Sequence, residues 1–285
     1  MKSKIIYEND AILICYKPAG LPAQTGSVGR ADCVSELKNY LYAKQKKPGE
    51  PYLGVVHRLD QPVEGLLVFA KTRQAAQSLT AQLTGGLYSK RYYAVVDGLM
   101  PEAEFAGKEA KNTEKDMQWT ELVHYLKKDA SVNLAKIVGP QKPVAAKADK
   151  TAADTIKPDQ TEAGIKEARL LYRVLERQEE QRISLIEVEL KTGRFHQIRA
   201  QMSAHGYPLL GDAKYGTEAS GQKSTALGVR NAALCAYCLE LVHPESGKRI
   251  GFSCQPENPA FDLFKKFKSV INDNTMGRNK KYERE

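Results

Sequence analysis

The chain lacks any apolar run approaching the ~18 residues that a membrane-crossing helix needs, which excludes a helical membrane protein. No secretory leader is expected. Met1-Lys2-Ser3-Lys4-Ile5-Ile6 is followed by Glu8 and Asp10, and the apolar stretch Ala11 to Tyr16 is too short for a leader core and has no small-residue cleavage site. Cysteine is scarce: the five present are an odd number without regular spacing, which argues against a disulfide framework and for a reducing, cytoplasmic setting. Cys235-Ala236-Tyr237-Cys238 is a C-x-x-C pair, but a structural zinc site needs four ligands and no second pair stands at a suitable distance. No metal is therefore expected. No internal repeat is found, and Trp119, the only tryptophan, reads as a core or strand residue.

What is present is ordinary globular composition. Hydrophobic residues make up 42% and charged residues 27% of 285, so the chain is neither disordered nor in need of staples to bury a core. Lysine and arginine number 43 against 34 acids, a net charge of +9 that suits a polyanionic partner such as nucleic acid without proving one.

Ile5 to Tyr16 reads as two strands broken by the turn cluster Glu8-Asn9-Asp10, running into a loop at Lys17-Pro18-Ala19-Gly20-Leu21-Pro22. Leu66 to Ala70 is wholly apolar and reads as a buried strand. A helix is expected from Thr72 through Leu83, where Ala75, Leu79 and Leu83 recur every fourth residue before Gly85-Gly86. Arg91 to Val96 and Ile183 to Leu190 read as strands, and His196 to His205 as a helix. The Pro-, Ala- and Lys-rich stretch 139–166, whose charges nearly cancel, reads as a flexible insertion, and residues 265–285 as a basic, solvated tail. Residues 1–264 are then one domain.

Two polar clusters carry the chemistry. His57-Arg58-Leu59-Asp60 lies just before the buried strand, and charged groups beside a core cost several kcal/mol unless paired or functional. A structural ion pair is the plain alternative. In Thr192-Gly193-Arg194-Phe195-His196-Gln197-Ile198-Arg199 a glycine turn leads into a helix whose first turn carries Arg, His and Gln, a setting that suits anions such as phosphate. A capped helix with surface basic residues fits equally.

Taken together, these stretches resemble the RluA family of pseudouridine synthases. The family's signature runs H-R-L-D, three residues, a small residue, Gly, and an apolar strand ending in Phe-Ala-Lys. Here it reads His57-Arg58-Leu59-Asp60 and Gly65-Leu66-Leu67-Val68-Phe69-Ala70-Lys71. Lys17 to Leu21 matches its Lys-Pro-Ala-Gly-Leu opening, Lys90-Arg91-Tyr92-Tyr93-Ala94 its Lys-x-Tyr-x-Ala motif, and Thr192 to Arg199 its Thr-Gly-Arg-x-His-Gln-Ile-Arg motif. Gly206, Pro208, Leu209, Gly211 and Asp212 follow in the family's order.

The resemblance implies an α+β fold with a central, mixed but mostly antiparallel sheet and flanking helices, in a form without the S4-type domain that many relatives carry in front. It implies isomerisation of uridine to pseudouridine within ribosomal or transfer RNA, with no cofactor, and a monomer with one cleft. Asp60 matches the catalytic aspartate, as nucleophile or as base at the sugar. Arg194 matches its cationic partner, which keeps it ionised. Tyr92 matches the aromatic that stacks on the target base, and stacking worth ~1–3 kcal/mol helps offset base flipping. Arg58 matches the residue that holds the RNA open. His57, His196, Gln197 and Arg199 are expected to contact substrate.

One departure stands out: the family's Thr-Ser or Val-Ser pair before the glycine is Val63-Glu64 here. Glu64 is expected to point to solvent. Two other functions compete with isomerisation: an RNA-binding or RNA-folding protein that needs no turnover, and a glycosidase that releases free base.

Overall fold

The computed structural model describes residues 1–26, 29–45, 48–101, 119–138, 164–267 and 279–283. Its backbone divides into two compact units. One holds Met1–Tyr92 and Leu234–Asn258 with the strand Asn279–Glu283, and the other Tyr93–Ala233 and Pro259–Phe267. Residues 1–264, read from sequence as one domain, are thus shared between two units.

The first unit begins with β1 (Lys4–Glu8) and β2 (Ile12–Lys17), paired antiparallel. The turn between them is made by Asn9, whose Oδ1 accepts from Ala11 N (3.1 Å) and Ile12 N (2.8 Å). Helix α1 (Cys33–Lys44) is capped by Asp32, which accepts from Ser35 N at 2.7 Å. Next come β3 (Gly54–Val55), β4 (Glu64–Ala70), α2 (Arg73–Thr84) and β5 (Ser89–Asp97), whose first four residues belong here. Thr72 caps α2 through Ala75 N at 3.1 Å. The chain returns as β10 (Leu234–Val242) and β11 (Arg249–Cys254) and ends in β12 (Asn279–Glu283). The strand order is β1-β2-β4-β10-β11-β12.

Every residue of β2 and β4 is buried, because both strands are interior and covered on both faces. β4 runs antiparallel to β2 and parallel to β10, through Cys235↔Glu64 and Ala236↔Gly65. Gly65 has φ +123°, and a Cβ there would lie 2.4 Å from the Ala236 carbonyl oxygen, so no other residue fits.

The second unit takes up β5 from Tyr93 and adds β6 (Thr120–Asp129), β7 (Leu134–Val138), β8 (Ile165–Gln178) and β9 (Ile183–Leu190), in the order β5-β9-β8-β6-β7. The pairs β6/β7, β6/β8 and β8/β9 are antiparallel. Helices α3 (Gln197–Ala204) and α4 (Glu218–Ala226) and a short 3₁₀ turn, Pro259–Leu263, complete it. Leu126, Ala135, Ala168 and Ala200 form a buried cluster against which Ile137, Phe195 and Tyr215 pack.

The expected α+β class, with mixed and mostly antiparallel strands, is what is found. The expected strands and helices appear as β1, β2, β4, α2, β5, β9 and α3, within a few residues at their ends. Most of the presumed insertion, 139–163, lies outside the described residues. Ile165 and Lys166, read as its end, instead open β8. The tail differs from expectation, since Asn279–Glu283 pairs antiparallel with β11 from Ile250↔Glu283 to Cys254↔Asn279. Among the described residues no helix is long and apolar enough to cross a membrane.

Candidate active site

In the first unit the H-R-L-D segment is the loop between β3 and β4. Its side chains alternate as an extended backbone requires: His57 and Leu59 are buried, Arg58 is exposed and Asp60 is half-buried. A turn follows, closed by Val63 N donating to the Asp60 carbonyl at 3.1 Å. Gln61 is held from several directions. Its carbonyl accepts from Gly20 N (2.8 Å) and Lys17 Nζ (3.3 Å), while its side chain donates to the Gly20 carbonyl (3.1 Å) and accepts from Arg30 Nη2 (3.2 Å). The Lys-Pro-Ala-Gly-Leu turn thus braces the residue next to Asp60.

Lys17 is the centre of that brace and is fully buried. Besides Gln61 it donates to the carbonyls of Pro18 (3.0 Å) and Leu21 (2.8 Å). Burial pushes its pKa down to about 8, while the nearby Cys33, Asp60, Cys15 and Glu64 pull it back up. From about pH 8 to the ordinary lysine value near 10.5, the folded chain has lost a proton that the unfolded chain keeps. On this group's account stability rises with pH across that window. Lys17→Met is therefore expected to flatten the rise of the urea midpoint between about pH 8 and 10. An unchanged slope would count against a buried, downshifted Lys17.

His57 faces inward. Its Nε2 accepts from the Tyr88 hydroxyl at 2.6 Å and Val68 N at 3.3 Å, with the two rings edge-to-face at 5.4 Å. Burial first, and Lys90 second, hold it well below the ordinary histidine range, so it is neutral at pH 7. The sequence reading gave His57 a substrate contact; the structure makes it an internal support of the loop. Tyr92, on β5, is buried. Its hydroxyl is held above the ordinary tyrosine value, first by burial and then by the charge of Asp60, which places the two side chains within electrostatic reach of each other.

The second unit carries the other motif. Arg194 is exposed, and its Nε donates to the Glu167 carbonyl at 2.7 Å. His196 adopts φ 52°, a left-handed turn that starts α3 without a side-chain cap. Gln197 ties down the turn that leads into the helix. Its Oε1 accepts from Arg194 N (2.9 Å) and Thr192 Oγ1 (2.8 Å), and its Nε2 donates to the Arg169 carbonyl (3.1 Å). The His196 ring stacks on Phe195 at 3.7 Å, and its Nδ1 meets the Tyr215 hydroxyl at 2.9 Å. Arg199 is 3% exposed and grips Asp212 in two parallel bonds, Nε–Oδ2 2.7 Å and Nη2–Oδ1 2.6 Å. It too was expected at substrate. The structure turns Arg199 and Gln197 inward: Gln197 holds the motif's backbone at Arg194, and Arg199 pairs with Asp212.

Asp60, Tyr92, Arg58 and His57 therefore share one unit, and Arg194, His196, Gln197 and Arg199 the other. Glu64, expected at the surface, is 2% exposed and wholly hydrogen-bonded. Sequence reasoning missed Lys17, Tyr88 and Gln61 as supports. The available signal was a lysine closing a wholly apolar strand before Pro18. Among the described residues no group of three or more His, Cys, Asp or Glu is placed to hold a metal ion, and Cys235 and Cys238 are buried in β10.

The α+β core that carries the braced Asp60 loop has counterparts among pseudouridylate synthase domains. Solved human structures share it: RNA pseudouridylate synthase domain containing 1 superposes with a TM-score of 0.59 at 19% identity, over 90% of this chain and 83% of that one. The human domain containing 4 gives 0.59 and 19% over 94% and 92%. Residues 11–204 match the family described as RNA pseudouridylate synthase, and the chain belongs to that family. Ribosomal large subunit pseudouridine synthase D of Neisseria meningitidis serogroup B is 31% identical over 270 residues, 92% of this chain and 60% of that protein. The protein of the same name from Pseudomonas aeruginosa is 32% identical over 254 residues, 87% of this chain and 66% of its own length. The chain thus spans about 60% to two thirds of these relatives.

Proposed function

We propose that this chain isomerises uridine to pseudouridine in ribosomal RNA, with Asp60 as the catalytic aspartate. One observation carries the reading: the half-buried Asp60, on a loop braced by Lys17 and Gln61, lies within electrostatic reach of the buried Tyr92. The carboxylate attacks or deprotonates at the sugar. The family resemblance assigns Tyr92 to stacking on the flipped base and Arg194 to pairing with the aspartate, and Arg58 is the exposed cation beside the loop. The reaction moves the glycosidic bond from N1 to C5 of one base, and the C5 hydrogen leaves to solvent. Nothing is oxidised or reduced.

Ribosomal rather than transfer RNA is favoured by the names of the relatives, which are ribosomal large subunit synthases. A net charge of +9 fits a polyanionic substrate. The chain is taken to work as a cytoplasmic monomer.

The test is tritium release from ribosomal and transfer RNA transcripts labelled at uridine C5. The expected result is release from ribosomal RNA with the base still chain-linked. Free uracil in the supernatant would instead identify a glycosidase. RNA binding without release from any pool would identify a non-catalytic RNA-binding protein.

A further inference from the structure

Glu64 is the residue where the chain leaves the family's pattern, and its surroundings give it a task. It stands four residues after Asp60 at the first position of β4, next to Gly65, whose backbone rests on Ala236. Its carboxylate accepts three hydrogen bonds. Oε1 takes both Glu257 N and Asn258 N, each at 3.0 Å, and Oε2 takes the Tyr16 hydroxyl at 2.8 Å. A serine at this position has neither the reach nor the acceptors to bind all three at once.

The donors come from separate parts of the unit. Tyr16 is a buried residue of β2, and Glu257 and Asn258 follow β11. Burial raises the pKa of Glu64, with the Glu257 charge adding to it, while the three donors pull the other way. Tyr16 is held far above the ordinary tyrosine value, so its hydroxyl stays a donor. A buried carboxylate costs several kcal/mol unless its acceptors are filled, and here donors fill both oxygens.

We propose that Glu64 is a positioning residue for the reaction: it clamps the exit of the Asp60 turn to β2 and to the 257–258 backbone, and so fixes where Asp60 points. The turn has two ends. Gln61, at the entry, is tied to the Lys17 turn, and Glu64, at the exit, is tied to three donors. With the exit loose, Val63 and Asp60 are free to shift together about the hydrogen bond between them. A displacement of about 1 Å at a reacting group costs up to ~100-fold in rate.

This inference rests on the proposed isomerase activity, so one readout is kept independent of it. Amide exchange should show Glu257 and Asn258 protected in the wild type and exchanging at least about tenfold faster in Glu64→Ala. Equal exchange rates would overturn the clamp whatever the activity. For the reaction, Glu64→Ala should lower kcat for tritium release about 10- to 100-fold with KM within about threefold. Glu64→Gln should stay within about threefold of wild type, because its amide oxygen still accepts from the backbone and its amide nitrogen can donate to the Tyr16 oxygen. Should Glu64→Ala not fold, Tyr16→Phe removes one donor only and should lower kcat by about threefold or more in a protein that still folds, though with a lowered melting temperature. Wild-type kcat in Glu64→Ala or Tyr16→Phe, or a Glu64→Gln variant as impaired as Glu64→Ala, would overturn the proposal. Silence of the wild type itself on every RNA would instead remove the activity, and the positioning role with it.

Discussion

Asp60→Asn is expected to cut tritium release by at least about 10³-fold while leaving RNA affinity within about threefold. Asparagine keeps the shape of aspartate and removes only the charge and the nucleophilic oxygen. The loop should survive, because Lys17, Gln61, Gly20 and the backbone of Val63 continue to hold it and asparagine fills the same space. Affinity for RNA rests mainly on phosphate contacts, which this change does not touch. Binding at several salt concentrations, read beside the tritium assay, separates the two effects. Residual turnover near wild type would dismiss Asp60 as the catalyst. A cell lacking the protein and rescued equally by the wild type and by Asp60→Asn would favour a role that needs only RNA binding.

The second large effect concerns stability. Arg199→Ala should destabilise the protein by about 3–5 kcal/mol, because it leaves Asp212 as a buried, uncompensated charge. The pair is bidentate and almost completely withdrawn from water, with Arg199 also lying over the Tyr215 ring at 5.1 Å. Asp212 further accepts from Lys214 N (3.0 Å) and Tyr215 N (3.2 Å), so it organises the chain beyond α3 as well. Urea unfolding followed by circular dichroism measures the loss. Arg199→Met combined with Asp212→Asn should recover a large part of it, since the pair is then neutral and the asparagine oxygen still accepts from the backbone. A change under about 1 kcal/mol in Arg199→Ala would show that the pair is screened as at a surface.

Much of the fold was legible because its strongest elements are local signals. The strands β2 and β4 are unbroken apolar runs, and α2 has regular spacing between a threonine cap and two glycines. Helix α1 was not anticipated. Its buried residues Val34, Leu37 and Leu41 do fall at helical spacing behind the cap Asp32, but the apolar stripe is narrow and polar residues dominate the segment. The choice of Asp60, Tyr92 and Arg194 as candidates followed from ordered motifs. The inward placement of other residues did not. His57, Arg199 and Glu64 are polar, and polar groups in a motif read as surface groups until their partners are seen. For two of them the partners are remote: Tyr88 is 31 residues from His57, and Glu257 is 193 from Glu64. No window of local sequence contains both members of such a pair.

The first unit is assembled from segments far apart in sequence. β4 obtains its parallel neighbour only with Cys235 and Ala236, and Glu64 its backbone donors only with Glu257 and Asn258. The second unit likewise includes Pro259–Phe267. On a ribosome, where domains usually fold as they emerge from the N-terminal side, the first unit cannot be finished before Asn258 has been made, nor the second before Phe267. The exposed apolar edge of β4 must therefore wait through the synthesis of about 170 residues, the stretch from Glu64 to Cys235. Nascent chains of this protein should depend on holding chaperones more than their length alone would require, and slowing translation should not relieve that dependence.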